Sequence, residues 1–376
     1  MSASIGAAAA LALAMLQAPR PAEDVTTAAQ GECVSASAVQ ATARARTLAR
    51  GRWAPEAYAR LTRVLADHGA TSPTYDPCRR PLAVFDWDNT VIAGDLGDAA
   101  FQDAAEKGLI QPHPRLLEPL DDATKALVEQ AADAGVAELR YALHAAYEAL
   151  CRARGPEVCY PWLTQAFHGH GQDMLAVFAR DVLSRALERP WPTSETLTGA
   201  AGPITLQRAV RWRPEMRDLV ESAIAHGFDV YVVTASPEWL VARVAPEVGV
   251  PSDHVVGMRT VTSTRGEEGV LARPPVTYRQ GKVGAIRTRI APGGRRPVLA
   301  VGDALTDREM LEDATGLALL VDRGHRALRD FALARGFAVQ PVFEGASERA
   351  ADERPRGEER TRGGAPERRA PRKRAP

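Results

Sequence analysis

Four short apolar runs set the tightest limit on how this chain can fold. They are Leu82-Ala83-Val84-Phe85, Val230-Tyr231-Val232-Val233, Pro297-Val298-Leu299-Ala300-Val301 and Leu317 to Val321. Each has strand length, and none alternates polar with apolar residues, as a strand buried on both faces requires. Helical patterns fill the intervals: one from Pro214 through His226 with Gly227 as its stop, one from Pro237, one around Lys282 and one opening near Thr306. Phe337 to Gln340 offers a fifth strand. Strands alternating with helices predict an α/β fold, a Rossmann-like, doubly wound parallel sheet with helices on both faces.

Ahead of the first run, residues 37–92 supply a helical segment, with apolar positions at Leu48, Ala54, Leu61 and Val64, then a turn-rich connector from Pro73 to Pro81. Residues 93–203 are helical in pattern without a strand run, which predicts a helical cap domain inserted after the first strand; the α/β core resumes over 204–343. Beyond Phe343 the composition becomes Arg, Glu, Pro and Gly, so residues 344–376 are predicted to be a disordered charged tail. Its end, from Arg368 to Arg374, is basic, and reads as solvated chain or as a contact for an anionic surface.

Residues 1–20 read as a signal peptide, because Ser4 to Ala18 is apolar and Ala-rich and Pro19-Arg20-Pro21 follows; residues 21–36 read as a linker. No Lys or Arg precedes the apolar run, so a retained N-terminal helix is the alternative. No internal stretch is long enough for a membrane span. The expected location is therefore periplasmic or secreted. Four cysteines suit export, with Cys151–Cys159 and Cys33–Cys78 the preferred pairing and buried thiols the alternative. Lys+Arg and Asp+Glu both total 47, which leaves no overall field to attract nucleic acid.

The chemistry lies where the runs end. The first ends in Asp86-Trp87-Asp88-Asn89-Thr90, and two carboxylates just past a buried strand are costly unless a metal or a partner compensates them. The second ends in Thr234-Ala235-Ser236, the third in Gly302-Asp303-Ala304-Leu305-Thr306-Asp307, and Lys282, one of only four lysines, stands between them. In an open parallel sheet these ends share one rim, where ligands bind. Four carboxylates, an ammonium and a hydroxyl suit a hard dication and a phosphate.

This ordered set, Asp86-x-Asp88-x-Thr90, Thr234, Lys282 and Gly302-Asp303-x-x-x-Asp307, resembles the four motifs of the haloacid dehalogenase superfamily. The helical insert after the first motif is similar to the cap of phosphoserine phosphatase-like members, and Asp86-Trp87-Asp88-Asn89-Thr90 followed by Asp95-Leu96 resembles bacterial phosphorylcholine phosphatases and their relatives. The resemblance implies an Mg²⁺-dependent phosphomonoesterase acting on a small-molecule phosphate ester. Asp86 would be the nucleophile that forms an aspartyl-phosphate, and Asp88 the general acid and base. Asp86, the backbone carbonyl of Asp88 and Asp303 would hold Mg²⁺, with Asp307 positioning Lys282 or a water on the metal. Thr234, Ala235 and Lys282 would bind the phosphoryl group. A broad-specificity phosphatase or phosphotransferase of the same fold is the alternative, and behind it a non-catalytic phosphate-binding protein.

Asp95 has two readings. It stands where phosphoserine phosphatases carry a carboxylate that contacts the substrate amine, and it also precedes a helix with Asp98 three residues on, as an N-cap does. The cap's Tyr141, Tyr147, Tyr160, Trp162, Phe167 and Trp191 likewise read as core or as a cage for a quaternary ammonium, with Tyr160-Pro161-Trp162 the best candidate for the cage. His168 and His170 read as a polar loop or a metal pair. Arg211, Trp212 and Arg213 read as the return into the core.

Overall fold

The computed structural model describes residues 33, 35–262, 268–271 and 276–343. The expected signal peptide, most of the expected linker and the charged tail lie outside the described residues.

Six parallel strands form the central sheet: β1 (Leu82–Phe85), β2 (Asp229–Pro237), β3 (Val255–Met258), β4 (Pro297–Gly302), β5 (Leu317–Asp322) and β6 (Ala338–Pro341). Their order is β6-β5-β4-β1-β2-β3, the doubly wound order. The winding reverses between β1 and β4, so a crevice opens there beyond the carboxyl ends of the strands. Register carries this to particular residues: Phe85 lies beside both Val232 and Val301, which levels the ends of β1, β2 and β4.

The continuous apolar runs are explained by two cores, one on each face of the sheet. Ala83, Phe85, Val232 and Val301 face a large core shared with the helices Pro55–His68 and Pro214–Ala225. Leu82, Val84, Val233 and Ala300 face a second core with Ala285 and Ile286, Met310 and Leu311, and Leu328 and Ala332. With both faces covered, no strand position is left for a polar residue until the strand ends.

Between β1 and β2 lies a block of helices, chiefly Leu96–Glu106, Asp122–Ala134, Val136–Arg154, Pro156–Gln165 and Gln172–Glu188. Its two ends are tied by a short antiparallel pair, Ile92–Ala93 with Arg211–Trp212, which places Trp212 where the chain re-enters the core. The block is not wholly helical: Ser194–Leu197 pairs antiparallel with Ile204–Gln207. Four half-exposed residues give too short an alternation to announce that strand. The region from Ser37 to His68 is likewise two helices, Ala36–Ala45 and Pro55–His68, separated around Gly51. The edge strand β3 had no signal either, because Gly257 and Met258 interrupt its β-branched pattern. Cys151 and Cys159 are joined as expected, and Cys33 and Cys78 are disulfide-bonded too. Among the described residues no helix is long and apolar enough to cross a membrane.

Candidate active site at the carboxyl ends of the strands

β1 delivers Asp86 with its N–H bonded to Val301 O at 2.9 Å. The chain then turns through Trp87–Val91, with Asn89 at φ 59, a left-handed conformation that asparagine tolerates better than most residues. Asn89 N–H donates to Gly94 O (2.9 Å), and its Oδ1 accepts Gly94 N–H (3.2 Å). From behind, buried Arg213 donates to the carbonyls of Asn89 (3.3 Å) and Ile92 (3.4 Å). Arg213 therefore braces the turn that presents Asp86 and Asp88, and Arg211 holds backbone carbonyls such as that of Leu187 (2.8 Å).

The centre of the site is a buried charge cluster. Lys282 is 0% exposed, and its Nζ donates to Asp86 Oδ1 at 2.7 Å and to Asp307 Oδ1 at 2.6 Å. Thr90 Oγ1 lies 3.2 Å from Asp86 Oδ2 and 3.1 Å from Asp303 Oδ1. Asp307 Oδ2 accepts the N–H groups of Asp303 (3.0 Å) and Ala304 (3.1 Å). That close approach needs glycine at 302, where a Cβ would sit 2.6 Å from the Asp307 Cβ. Arg323, just past β5, donates to Asp303 Oδ2 at 2.9 Å.

Burial first, and then the charges of Asp307 and Asp303, push the Asp86 carboxyl well above the usual range despite Lys282. Burial also raises Asp307, and the two carboxylates in turn hold the Lys282 ammonium above its ordinary value against the cost of burial. Three carboxylates, Asp86, Asp303 and Asp307, face two cations, Lys282 and Arg323, so the carboxylates outnumber the cations by one. Oxygens of Asp86, Asp303 and Asp307 all lie within 4.8 Å of one another. An all-oxygen donor set with that excess fits a hard divalent cation such as Mg²⁺.

Asp88 lines the same opening. Its Oδ1 accepts Leu96 N–H at 2.7 Å, and its Oδ2 accepts the Ser236 hydroxyl at 2.6 Å. Ser236 stands in a bulge of β2, where the pairing with β3 slips between Val233 and Pro237, and its N–H donates to Thr234 Oγ1 at 3.0 Å. The helix Leu96–Glu106 meets this bulge closely: a Cβ on Gly97 would lie 2.6 Å from Ser236 Oγ. Burial, then the charge of Asp95, raises Asp88 well above the ordinary carboxylate range, against the two hydrogen bonds.

Asp86, Asp88, Asp95, Thr234, Ala235 and Asp303 line one open cleft of about 540 Å³, including its mouth, with Lys282 and Asp307 directly behind it. Asp95 caps the helix through Asp98 N–H (2.9 Å) and also lines the cleft. Tyr147, Tyr160 and Leu163 of the helical block form part of the same lining. Trp162 instead belongs to the core, 2% exposed, with its Nε1 donating to Leu116 O (2.6 Å). Tyr141 (donating to Gly202 O at 2.9 Å) and Phe167 are core residues as well. His170 bonds the Leu109 carbonyl at 2.8 Å and His168 lies against the ring of His113, so these histidines are loop residues.

Sequence reasoning passed over Arg323 and understated Ser236. Arg323 had a usable signal, since it follows the fourth apolar run at the same rim. Ser236 was visible only as a hydroxyl near Thr234, because its bond to Asp88 spans 148 positions.

Replacing Lys282 by Met removes the buried cation between Asp86 and Asp307. Breaking a buried ion pair from one side costs about 3–5 kcal/mol. The two carboxylates are then raised further in the folded state, which takes up protons that the unfolded chain does not. The loss in stability should be full near neutral pH and shrink as pH falls and both carboxyls protonate. Urea unfolding in EDTA at about pH 8 and pH 5 measures this; a deficit independent of pH would contradict the charge account.

The family model of haloacid dehalogenase-like hydrolases matches residues 83–184 and 192–312. Over 273 residues the chain is 28% identical to the phosphorylcholine phosphatase of Pseudomonas aeruginosa, covering 64% of this chain and 74% of that protein. The crystal structure of a conserved, functionally unknown protein from Anaerococcus prevotii superposes with a TM-score of 0.67 at 21% identity, over 78% of this chain and 93% of that one, a likeness of fold. With Asp86, Asp88 and the buried Lys282 gathered at one rim, the chain belongs to the haloacid dehalogenase-like hydrolases, and within them it is a phosphatase.

Proposed function

We propose that the protein is an exported, Mg²⁺-dependent phosphomonoesterase that works through an aspartyl-phosphate on Asp86 and takes small phosphate esters with a cationic leaving group. The observation that carries this reading is the placement of Asp86 and Asp88 in the lining of one cleft, each fixed by its own donors. Asp86 is gripped from below by Lys282 and Thr90, which orients its carboxylate toward the cleft. A carboxylate attacking phosphorus in line displaces the ester oxygen, which leaves as an alkoxide unless a proton reaches it. Asp88, kept high by burial and by Asp95, supplies that proton. The same carboxylate, now ionised, takes a proton from the water that attacks the phosphorus of phospho-Asp86, which restores both groups. Thr234 and the backbone around Ala235 face the phosphoryl oxygens, where charge spreads in the transition state.

Asp86, Asp303 and Asp307, with the backbone carbonyl of Asp88, would hold Mg²⁺, whose charge lets a dianionic ester approach an anionic nucleophile. Asp95 and Asp98 give the leaving-group side of the cleft negative charge, and Tyr147 and Tyr160 give it aromatic surface. Those features support a positively charged leaving group, and the likeness to a phosphorylcholine phosphatase points the same way. Oxidised cysteines support an exported location.

Asp88→Asn should cut steady-state turnover by about 10²–10⁴-fold. With p-nitrophenyl phosphate, whose leaving group needs no acid, it should still release a rapid burst of nitrophenol near one equivalent, because only the second step is stalled. Stopped-flow absorbance reads the burst, and slow release with no burst would remove Asp88 from the second step.

Phosphate release from phosphorylcholine, phosphoethanolamine, phosphoserine and a nucleotide, with EDTA and after Mg²⁺ is restored, tests substrate and metal together. Asp95→Asn should raise KM for the cationic esters by about tenfold or more and barely change the nucleotide, since a close charge pair is worth about 1.5 kcal/mol or more. An equal loss on every ester would reduce Asp95 to a helix cap.

A further inference from the structure

The Cys151–Cys159 disulfide has no part in the reaction, yet it lies beside the cleft. Tyr147 and Cys151 are one helical turn apart on the helix Val136–Arg154. Cys159 immediately precedes Tyr160 on the next helix, Pro156–Gln165, and Leu163 follows on the same face one turn later. The cleft is thus lined on its leaving-group side by residues from two helices that the disulfide joins, with Cα atoms 5.1 Å apart.

The second helix needs such a tie. It has ten residues, begins at Pro156 and contains Pro161, which offers no N–H to the helical ladder. A helix this short is marginal unless it is held from outside. Its anchors fall on either side of Tyr160. On one side Cys159 is 0% exposed and bonded to Cys151; on the other, Trp162 is 2% exposed, bonded to Leu116 O and stacked on Tyr147 with ring centroids 6.2 Å apart. Tyr160 itself reaches over to Tyr278, which lies four residues before Lys282, with ring centroids 6.2 Å apart.

We propose that the Cys151–Cys159 disulfide is a positioning element for leaving-group recognition, which fixes Tyr160 opposite the phosphoryl site without touching substrate itself. This rests on the phosphatase reading above, and the test separates the two. Removing the covalent tie leaves the rim with Asp86, Asp88 and Lys282 intact, because those residues hang on β1, the Trp87–Val91 turn and the helix Gln280–Ala285. Only the grip on the leaving group should loosen.

The experiment compares the full-length wild type with Cys151→Ala/Cys159→Ala, using phosphorylcholine as substrate and inorganic phosphate as inhibitor. Misplacing a contact by about 1 Å costs up to about 10²-fold, so we expect KM for phosphorylcholine to rise about tenfold while the phosphate inhibition constant stays within about twofold. Cys151→Ala/Cys159→Val, which keeps the buried volume at 159, guards against a failure to fold. The effect should also vanish in a Tyr160→Ala background, since a disulfide that acts through Tyr160 has nothing left to place. An unchanged KM, a parallel rise in the phosphate constant, or full additivity with Tyr160→Ala would overturn the proposal. A wild type that releases no phosphate from phosphorylcholine would instead remove the cationic-substrate reading. The disulfide is then judged by the same criteria on p-nitrophenyl phosphate, whose aromatic leaving group meets the same two tyrosines.

Discussion

A buried ammonium shared by two buried carboxylates organises the site. Lys282 is wholly enclosed and spans Asp86 and Asp307, which come from the ends of two adjacent strands. No single pair in this cluster would repay the cost of taking charges out of water. The arrangement holds because every oxygen is used again: Thr90 bridges Asp86 to Asp303, the backbone at 303 and 304 binds Asp307, and Arg323 takes the far side of Asp303. What remains is an excess of negative charge at the floor of an open cleft. Such a floor is poor ground for an anionic ester and good ground for a dication.

The topology supplies that cluster cheaply. Because the winding reverses between β1 and β4, helices draw away from the rim there and leave a crevice, while both faces of the sheet remain packed. The strands can be apolar throughout and still end in carboxylates. The cleft is lined from two sources: the sheet ends bring Asp86, Thr234 and Asp303, and the helical block brings Tyr147 and Tyr160, with Asp95 at its start. Asp88 stands where the two meet, fixed from the block by Leu96 N–H and from the sheet by Ser236. A proton donor in that place feels the leaving group and the nucleophile together.

Much of this was legible because strand-end chemistry is local. Asp86, Asp88, Thr234, Asp303 and Asp307 lie within a few residues of unmistakable apolar runs, and parallel register brings such ends together without further information. Lys282 was legible through its rarity among arginines. Features that depend on distant pairing were not. Arg323 and Ser236 act through contacts with residues far away in the chain, β3 is an edge strand with a mixed pattern, and Ser194–Leu197 is half exposed. The aromatic residues were ambiguous for a similar reason. Tyr160 and Trp162 are two positions apart on one helix, and only packing shows that one faces the cleft and the other the core.

The claim beneath all of this is that Asp86, and no other group, carries the phosphoryl group between substrate and water. The direct measurement is acid quenching of the enzyme during turnover of a ³²P-labelled ester, followed by peptide mapping of the acid-stable, base-labile label. The account predicts label on the peptide containing Asp86, at a level that grows when Asp88 is replaced by Asn and the ester is p-nitrophenyl phosphate, whose leaving group needs no acid. Turnover with no label at any time, or label on a different residue, would contradict it.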